Sequence, residues 1–168
     1  MSDSPQIIVK GAPYRDWNPK KKLLGYQRAW VRDPAIYKFC EKSRRVGFTW
    51  ASAFGDAMLI AGEGNEDDVW ISSRDLVQAR LYINDAKYWL RKIHKGAEHV
   101  GKTTIEDEGA YQILSSHGTA ITAMSSNPDA QAGKAGHRRL DEFGLHQDPE
   151  GLFDIAYPGI ILGGTIAI

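Results

Sequence analysis

Two short segments of this chain carry side chains that could handle a phosphate. The first is Lys42-Ser43-Arg44-Arg45-Val46-Gly47-Phe48-Thr49. A phosphate cradle needs inward-turned backbone N–H groups, a helix N-terminus behind them, a cation, and a hydroxyl for a magnesium ion. Gly47 permits the tight turn and Thr49 supplies the hydroxyl. The usual pattern of two glycines followed by lysine is broken at two points, since Lys42 stands where the first glycine would be and Phe48 takes the lysine position. The charge survives if Lys42 folds back over the loop from its front end. The second segment is Leu140-Asp141-Glu142. At the tip of a central strand, an aspartate can hold Mg²⁺ through water while the next glutamate orients and deprotonates an attacking water. Neighbouring carboxylates on a strand can take different tasks because strand side chains alternate. Read singly, each segment also fits a bland alternative: a basic surface loop, and a chance Asp-Glu pair.

The elements that must hold these segments are legible in the periodicity. A short helix is expected over Leu23 to Arg32, stopped before Asp33-Pro34. Ile36 to Cys40 has the length and composition of a strand. From Trp50 the pattern turns helical, with Trp50, Ala53, Phe54, Ala57 and Ala61 on one face. Val69 to Ser73 predicts a second strand, and Leu76, Ala79, Ile83, Ala86, Leu90 and Ile93 predict a long helix after it. Thr103–Glu106, Ala110–Leu114 and Thr119–Met124 predict a small antiparallel meander that returns to the main sheet. Ser125 to Gly136 reads as a loop, Pro149 to Tyr157 as a short helix, and Ile160 to Ile168 as a last strand that leaves an open sheet edge. Strands alternating with helices imply a mainly parallel sheet covered on both faces. His137, Arg138 and Arg139 run against this, because a buried parallel strand is expected to be apolar where they stand.

Composition narrows the function classes. The 168 residues hold 21 Lys plus Arg against 21 Asp plus Glu, so a chain that grips DNA mainly by counterion release is disfavoured, although Lys20, Lys21 and Lys22 form a local basic run. A single cysteine, Cys40, excludes an intrachain disulfide and suits a reducing compartment. Placed on a buried strand, Cys40 is expected to be inert. No apolar stretch approaches the ~20 residues of a membrane span, and Met1 to Lys10 does not read as a signal peptide. The expected location is the cytoplasm. The five histidines lack metal-ligand spacing, and the tryptophans read as core or interface residues.

The ordered set of motifs resembles the large terminase subunits of tailed phages, the DNA-packaging motors. The segment Lys42 to Thr49 is similar to the branch of that family whose loop lysine stands at the front. Tyr26-Gln27 is similar to the family's adenine-reading pair. Ser125-Ser126-Asn127-Pro128 through Gly133, followed by Asp141-Glu142-Phe143, is similar to its next two motifs, and His146, Asp148, Pro149, Tyr157-Pro158 and Gly163 to Ile168 continue the likeness.

The resemblance implies an α/β P-loop NTPase of the additional-strand (ASCE, RecA-like) type over residues 23–168, after a flexible arm at 1–22, with the chain stopping before the coupling motif and the nuclease domain. It implies ATP and Mg²⁺ as cofactors. It implies that Tyr26 and Gln27 contact adenine, and that Lys42, Ser43, Arg45, Val46, Gly47 and Phe48 wrap the phosphates, Phe48 through its backbone only. Thr49 and Asp141 would hold Mg²⁺, Glu142 would be the catalytic base, and Arg44 would stabilise the transferring phosphoryl group. The implied partners are double-stranded DNA, a portal protein, a small terminase subunit and further copies in a ring, in the host cell cytoplasm. Two other classes stay open from the residues: a non-catalytic nucleotide-binding or interaction remnant of a prophage, and a helicase-like ATPase fragment.

Overall fold

A computed structural model of the chain describes residues 23–43, 45–62, 64–98, 107–161 and 163–168. The expected flexible arm, Lys20 to Lys22, Arg44 and the expected strand at Thr103–Glu106 lie outside the described residues.

Helix α1 (Gly25–Arg32) opens where Gln27 Oε1 accepts the Leu24 N–H at 2.8 Å, satisfying a backbone donor that the first turn leaves free. It leads to strand β1 (Tyr37–Lys38), the phosphate-loop segment, helix α2 (Phe48–Ala61), strand β2 (Val69–Ser72) and helix α3 (Leu76–Glu98). Strands β3 (Asp107–Glu108), β4 (Gln112–Leu114) and β5 (Ala120–Met124) form the expected antiparallel meander, and β5 then lies parallel to β2. A 3₁₀ turn at Pro128–Gln131, capped by the Asn127 side chain, precedes β6 (His137–Leu140). A further 3₁₀ turn at Phe143–Leu145, helix α4 (Pro149–Ala156), a third 3₁₀ turn at Tyr157–Ile160 and strand β7 (Ile166–Ala167) complete the described residues.

The strand order is β1-β7-β6-β2-β5-β4-β3, with every pairing from β1 to β5 parallel. One strand, β7, therefore separates the strand before the phosphate loop from the strand that ends in Asp141-Glu142, which is the additional-strand arrangement. The last strand is consequently interior. Among the described residues, the open edge on that side belongs to β1, where Ile36, Tyr37 and Phe39 are 54%, 45% and 67% exposed. This corrects two expectations: Cys40 follows an edge strand rather than a buried one, and the segment from Ile160 is mostly turn. The β1–β7 ladder runs beyond the paired residues, from the Ile166 N–H bond to Ile36 O to the Cys40 N–H bond to Ile168 O.

The main core lies between the sheet and the α2–α3 pair. It joins Phe54, Ala57 and Ile60 of α2 with Tyr82, Ile83, Trp89 and Leu90 of α3 and Ile71 and Ile121 of the sheet. Leu76, expected on the apolar stripe of α3, is 39% exposed, while Ala79, Ile83, Ala86, Leu90 and Ile93 are buried as read. A smaller core packs Leu140 and Ile166 against Leu152, Ala156 and Ile160.

Strand β6 breaks the apolar rule for a parallel strand because its charged side chains find partners in other elements, although the buried Arg138 Nε has none. Side-chain alternation sends Arg139 to the α2 face and Arg138 to the other. Arg139 donates to both oxygens of Asp56 of α2 at 2.7–3.1 Å, and Tyr82 of α3 donates its hydroxyl to the same carboxylate. Arg138, fully buried, donates to Gln131 Oε1 at 3.1 Å and to the Lys134 carbonyl. His137 Nδ1 accepts the Thr165 N–H at 3.1 Å. Burial lowers the Arg138 pKa to about 10 and lowers that of His137 as well. At the entry to β6, Gly136 sits at φ 105° with its α-carbon against the backbone of Asp68, so that a Cβ would come 2.5 Å from Asp68 O. Only glycine fits both the conformation and the space.

Candidate nucleotide site

The phosphate-loop segment is fixed from behind by α1. Phe48, at the position where a lysine is usual, turns its ring away from the loop and onto this helix, 5.6 Å from the Tyr26 ring and edge-on to Trp30 at 5.4 Å. Gln27, almost fully buried, donates to Val46 O at 3.3 Å and Gly47 O at 3.0 Å, and Tyr26 donates its hydroxyl to Val46 O at 2.5 Å. Arg45 and Gly47 both have left-handed backbones, φ 63° and 73°. Left-handed residues inside a loop turn backbone N–H groups toward one concave side, where they can meet an anion. Helix α2 starts immediately after, with its free N–H groups behind the loop.

Lys42 supplies the cation from the other end of the loop. Its Nζ reaches Asp141 Oδ1 at 2.7 Å, while Thr49 Oγ1 donates to Asp141 Oδ2 at 3.0 Å. The first and last residues of the loop thus converge on one carboxylate at the tip of β6. A cavity of about 30 Å³ is lined by Lys42, Thr49 and Asp141, room for a water rather than a nucleotide.

Asp141 and Glu142 follow the end of β6 and separate through a left-handed turn rather than through strand alternation. Glu142 leaves the strand at φ 54° and faces Arg74, in the connection from β2 to α3, with 3.5 Å between Glu142 Oε2 and Arg74 Nε. His146 turns Nε2 back to the Asp141 carbonyl at 3.2 Å, and burial lowers its pKa. Ser43, exposed, stands beside Lys42. Lys42, Thr49 and Asp141 are therefore brought together, with Arg45, Val46 and Gly47 in the loop between them, while Glu142 stands beside Arg74. Tyr26, Gln27 and Phe48 are placed as braces of that loop. Among the described residues, no cluster of three or more His, Cys, Asp or Glu side chains could hold a metal. No described helix is long and apolar enough to cross a membrane.

The sequence reading did not single out Asp56, Tyr82, Arg74 or Asp85. Asp56 had a signal: it is a lone carboxylate in the otherwise apolar stretch Ala51–Ala61, and a buried carboxylate demands a cation. Asp85 on α3 is half-buried; burial first, and then the negative charge of Asp141, push its carboxyl up to about 6. An unfolded aspartate titrates near ~3.9, so the folded chain holds this proton more tightly and stability falls as pH rises through about 6. Asp85→Asn is expected to raise the melting temperature near pH ~7 and to lose that gain near pH ~4. Thermal unfolding of both chains across that range checks it.

Comparison with known proteins agrees with this arrangement. Over 138 residues, 78% of its length, the chain is 35% identical to the Mu-like prophage FluMu protein gp28 of Haemophilus influenzae. Over 157 residues, 87% of its length, it is 29% identical to the probable terminase large subunit gp28 of Escherichia phage Mu. It spans 27% and 28% of the lengths of these relatives. No family model matches. Two structures of the large terminase ATPase domain of Thermus phage P74-26, one of a single-residue mutant, superpose with TM-scores of 0.70 and 0.68. They cover 87% and 84% of this chain and 64% and 62% of their own, at 16% and 18% identity. Fold and site thus define a P-loop NTPase domain of the additional-strand type. Within that class, the chain is similar to a Mu-like prophage gp28 protein and to a probable phage terminase large subunit.

Proposed function

We propose that this chain is the ATP-binding and hydrolysing part of a large terminase subunit that drives double-stranded DNA into a procapsid. The observation that carries the reading is the convergence of Lys42 Nζ and Thr49 Oγ1 on the Asp141 carboxylate, 2.7 and 3.0 Å away, with Glu142 next in sequence.

The residues present suit Mg²⁺. A hydroxyl and a carboxylate are the hard oxygen donors it prefers, and a cation, the Lys42 ammonium, already stands at Asp141. Thr49 and Asp141 would hold the ion, which when bound would neutralise phosphate charge and orient the phosphoryl group. For ATP to enter, Lys42 must exchange its Asp141 contact for phosphate oxygens. The N–H groups of Ser43 and Arg45 to Phe48 would bind the remaining oxygens, Tyr26 and Gln27 would lie toward adenine, and Arg44 would steady the transferring group. Glu142 would take the proton of the water that attacks the γ-phosphate. The motor would be a ring of such chains, in the host cytoplasm, working with a portal protein and a small terminase subunit.

The test is release of phosphate from ATP by the full chain at high protein concentration, with Mg²⁺ and with a chelator, alongside titration with a fluorescent ATP analogue. Magnesium-dependent release is expected. Failure to bind the analogue would sink the reading, and binding without release would leave a nucleotide-binding remnant.

A further inference from the structure

We infer that His146 is a positioning residue that holds the Asp141 backbone and keeps its carboxylate aimed at Thr49, an inference that rests on the reading of Asp141 as a Mg²⁺ ligand.

Asp141 stands just past the last residue of β6. Its N–H is still bonded to the neighbouring strand, at Ser72 O, 2.9 Å away. Its carbonyl is met instead by a side chain, His146 Nε2, at 3.2 Å. A carbonyl only accepts, so Nε2 carries the proton and donates it. The other ring nitrogen, Nδ1, is shielded from solvent with no hydrogen-bond partner. The polar contact of this ring is therefore spent on the Asp141 backbone.

The ring is itself fixed. His146 is only 6% exposed, and its ring lies 6.3 Å from that of Phe143, which packs edge-on against Phe153 of α4. Two residues further on, the Asp148 side chain caps α4 by accepting the Gly151 N–H at 2.9 Å. Between Asp141 and His146 the chain turns through Glu142 at φ 54°, a conformation that a non-glycine residue keeps only when its surroundings impose it. The Leu145 N–H bonds Glu142 O at 2.8 Å and the His146 N–H bonds Phe143 O at 3.1 Å. The imidazole closes this turn back onto the strand end.

The closure matters most when the site is loaded. The Asp141 carboxylate is held by Lys42 at 2.7 Å and Thr49 at 3.0 Å. Once Lys42 turns to phosphate, the shorter of these contacts is gone. The aim of the carboxylate then depends on its backbone, pinned by Ser72 on one side and His146 on the other. Removing a group that orients a metal ligand from behind typically weakens metal binding by about 10–100-fold.

The test compares wild type with His146→Leu, His146→Gln and His146→Asn in the full chain. A glutamine amide can reach the place of Nε2, whereas an asparagine amide reaches only that of Nδ1. Three quantities are measured: the Mg²⁺ midpoint for ATP turnover, the Mg²⁺ midpoint for enhanced binding of a fluorescent ATP analogue, and analogue affinity in chelator. Circular dichroism and melting establish that each variant folds. His146→Leu and His146→Asn are expected to raise both midpoints by about 10-fold or more. Affinity in chelator should stay within about threefold, and His146→Gln should return toward wild type. Unchanged midpoints in His146→Leu overturn the inference, as does a glutamine variant no better than asparagine or an equal loss of Mg²⁺-free binding. Should the leucine variant not fold, the contrast between glutamine and asparagine decides alone. Asp141→Asn separates the two readings. If it leaves the Mg²⁺ midpoints in place, the metal assignment fails; if it shifts them while His146→Leu does not, only the role of His146 fails.

Discussion

Glu142→Gln is expected to lower ATP turnover by about 10²–10⁴-fold, the usual contribution of a positioned general base. Binding of a fluorescent ATP analogue should change by less than about threefold, because the phosphate-binding groups lie elsewhere and the amide is isosteric with the acid. The structure makes the separation specific. Glu142 touches neither Lys42 nor Thr49, which both engage Asp141, so deleting its charge leaves the loop's anchor on β6 intact. Single-turnover phosphate release and analogue titration on the same preparation provide the two readouts. A parallel loss of both would mean that Glu142 shapes the loop rather than the chemistry.

The second large effect is on stability. Asp56→Ala leaves the Arg139 guanidinium buried without its carboxylate and deprives Tyr82 of its acceptor. The Arg139 and Asp56 side chains are only 12% and 3% exposed, so the pair is shielded from solvent. Burial works against the Arg139 charge, and the Asp56 carboxylate more than offsets it, leaving the guanidinium pKa above its ordinary value. Breaking such a pair from one side costs about 3–5 kcal/mol. For a chain of this size that corresponds to a melting temperature lowered by roughly 6–20 °C. The double variant Asp56→Leu, Arg139→Met should recover much of the loss, since an apolar pair of similar volume carries no stranded charge. Thermal unfolding of the two variants decides between this account and one in which the pair contributes little.

Much of this site was legible because its chemistry is local. The order strand, loop, Gly47, Thr49 and helix can be read from types and spacing, and so can an Asp-Glu pair at a strand end. That Lys42 could stand in for the missing lysine was read from its type and place, whereas its contact with Asp141, which spans most of the chain, required the fold. The role of Phe48 was half visible: the sequence showed that it could offer no charge, and the structure adds that its ring docks on Tyr26 and Trp30. The charged strand His137–Arg139 misled in the expected direction, because local periodicity carries no information about Asp56, Gln131 or Thr165 waiting in other elements. Arg74 was illegible for the same reason. Its place beside Glu142 depends on β2 and β6 being neighbours, which only the sheet order reveals.

That sheet order also bears on how the chain acquires its shape during synthesis. Among the described residues, strand β1 has no sheet neighbour other than β7, and Tyr37 pairs with Ile166. The N-terminal segment that leads into the phosphate loop therefore emerges from the ribosome long before the strand that will hold it. Contacts so distant in sequence close slowly, because the intervening loop must first surrender its entropy. Helices α2 and α3 with β2 and β5 can assemble meanwhile around their shared core. Docking of β1 onto β7 is then expected to come late, so that the segment between β1 and α2 is fixed only when the rest of the sheet is already in place.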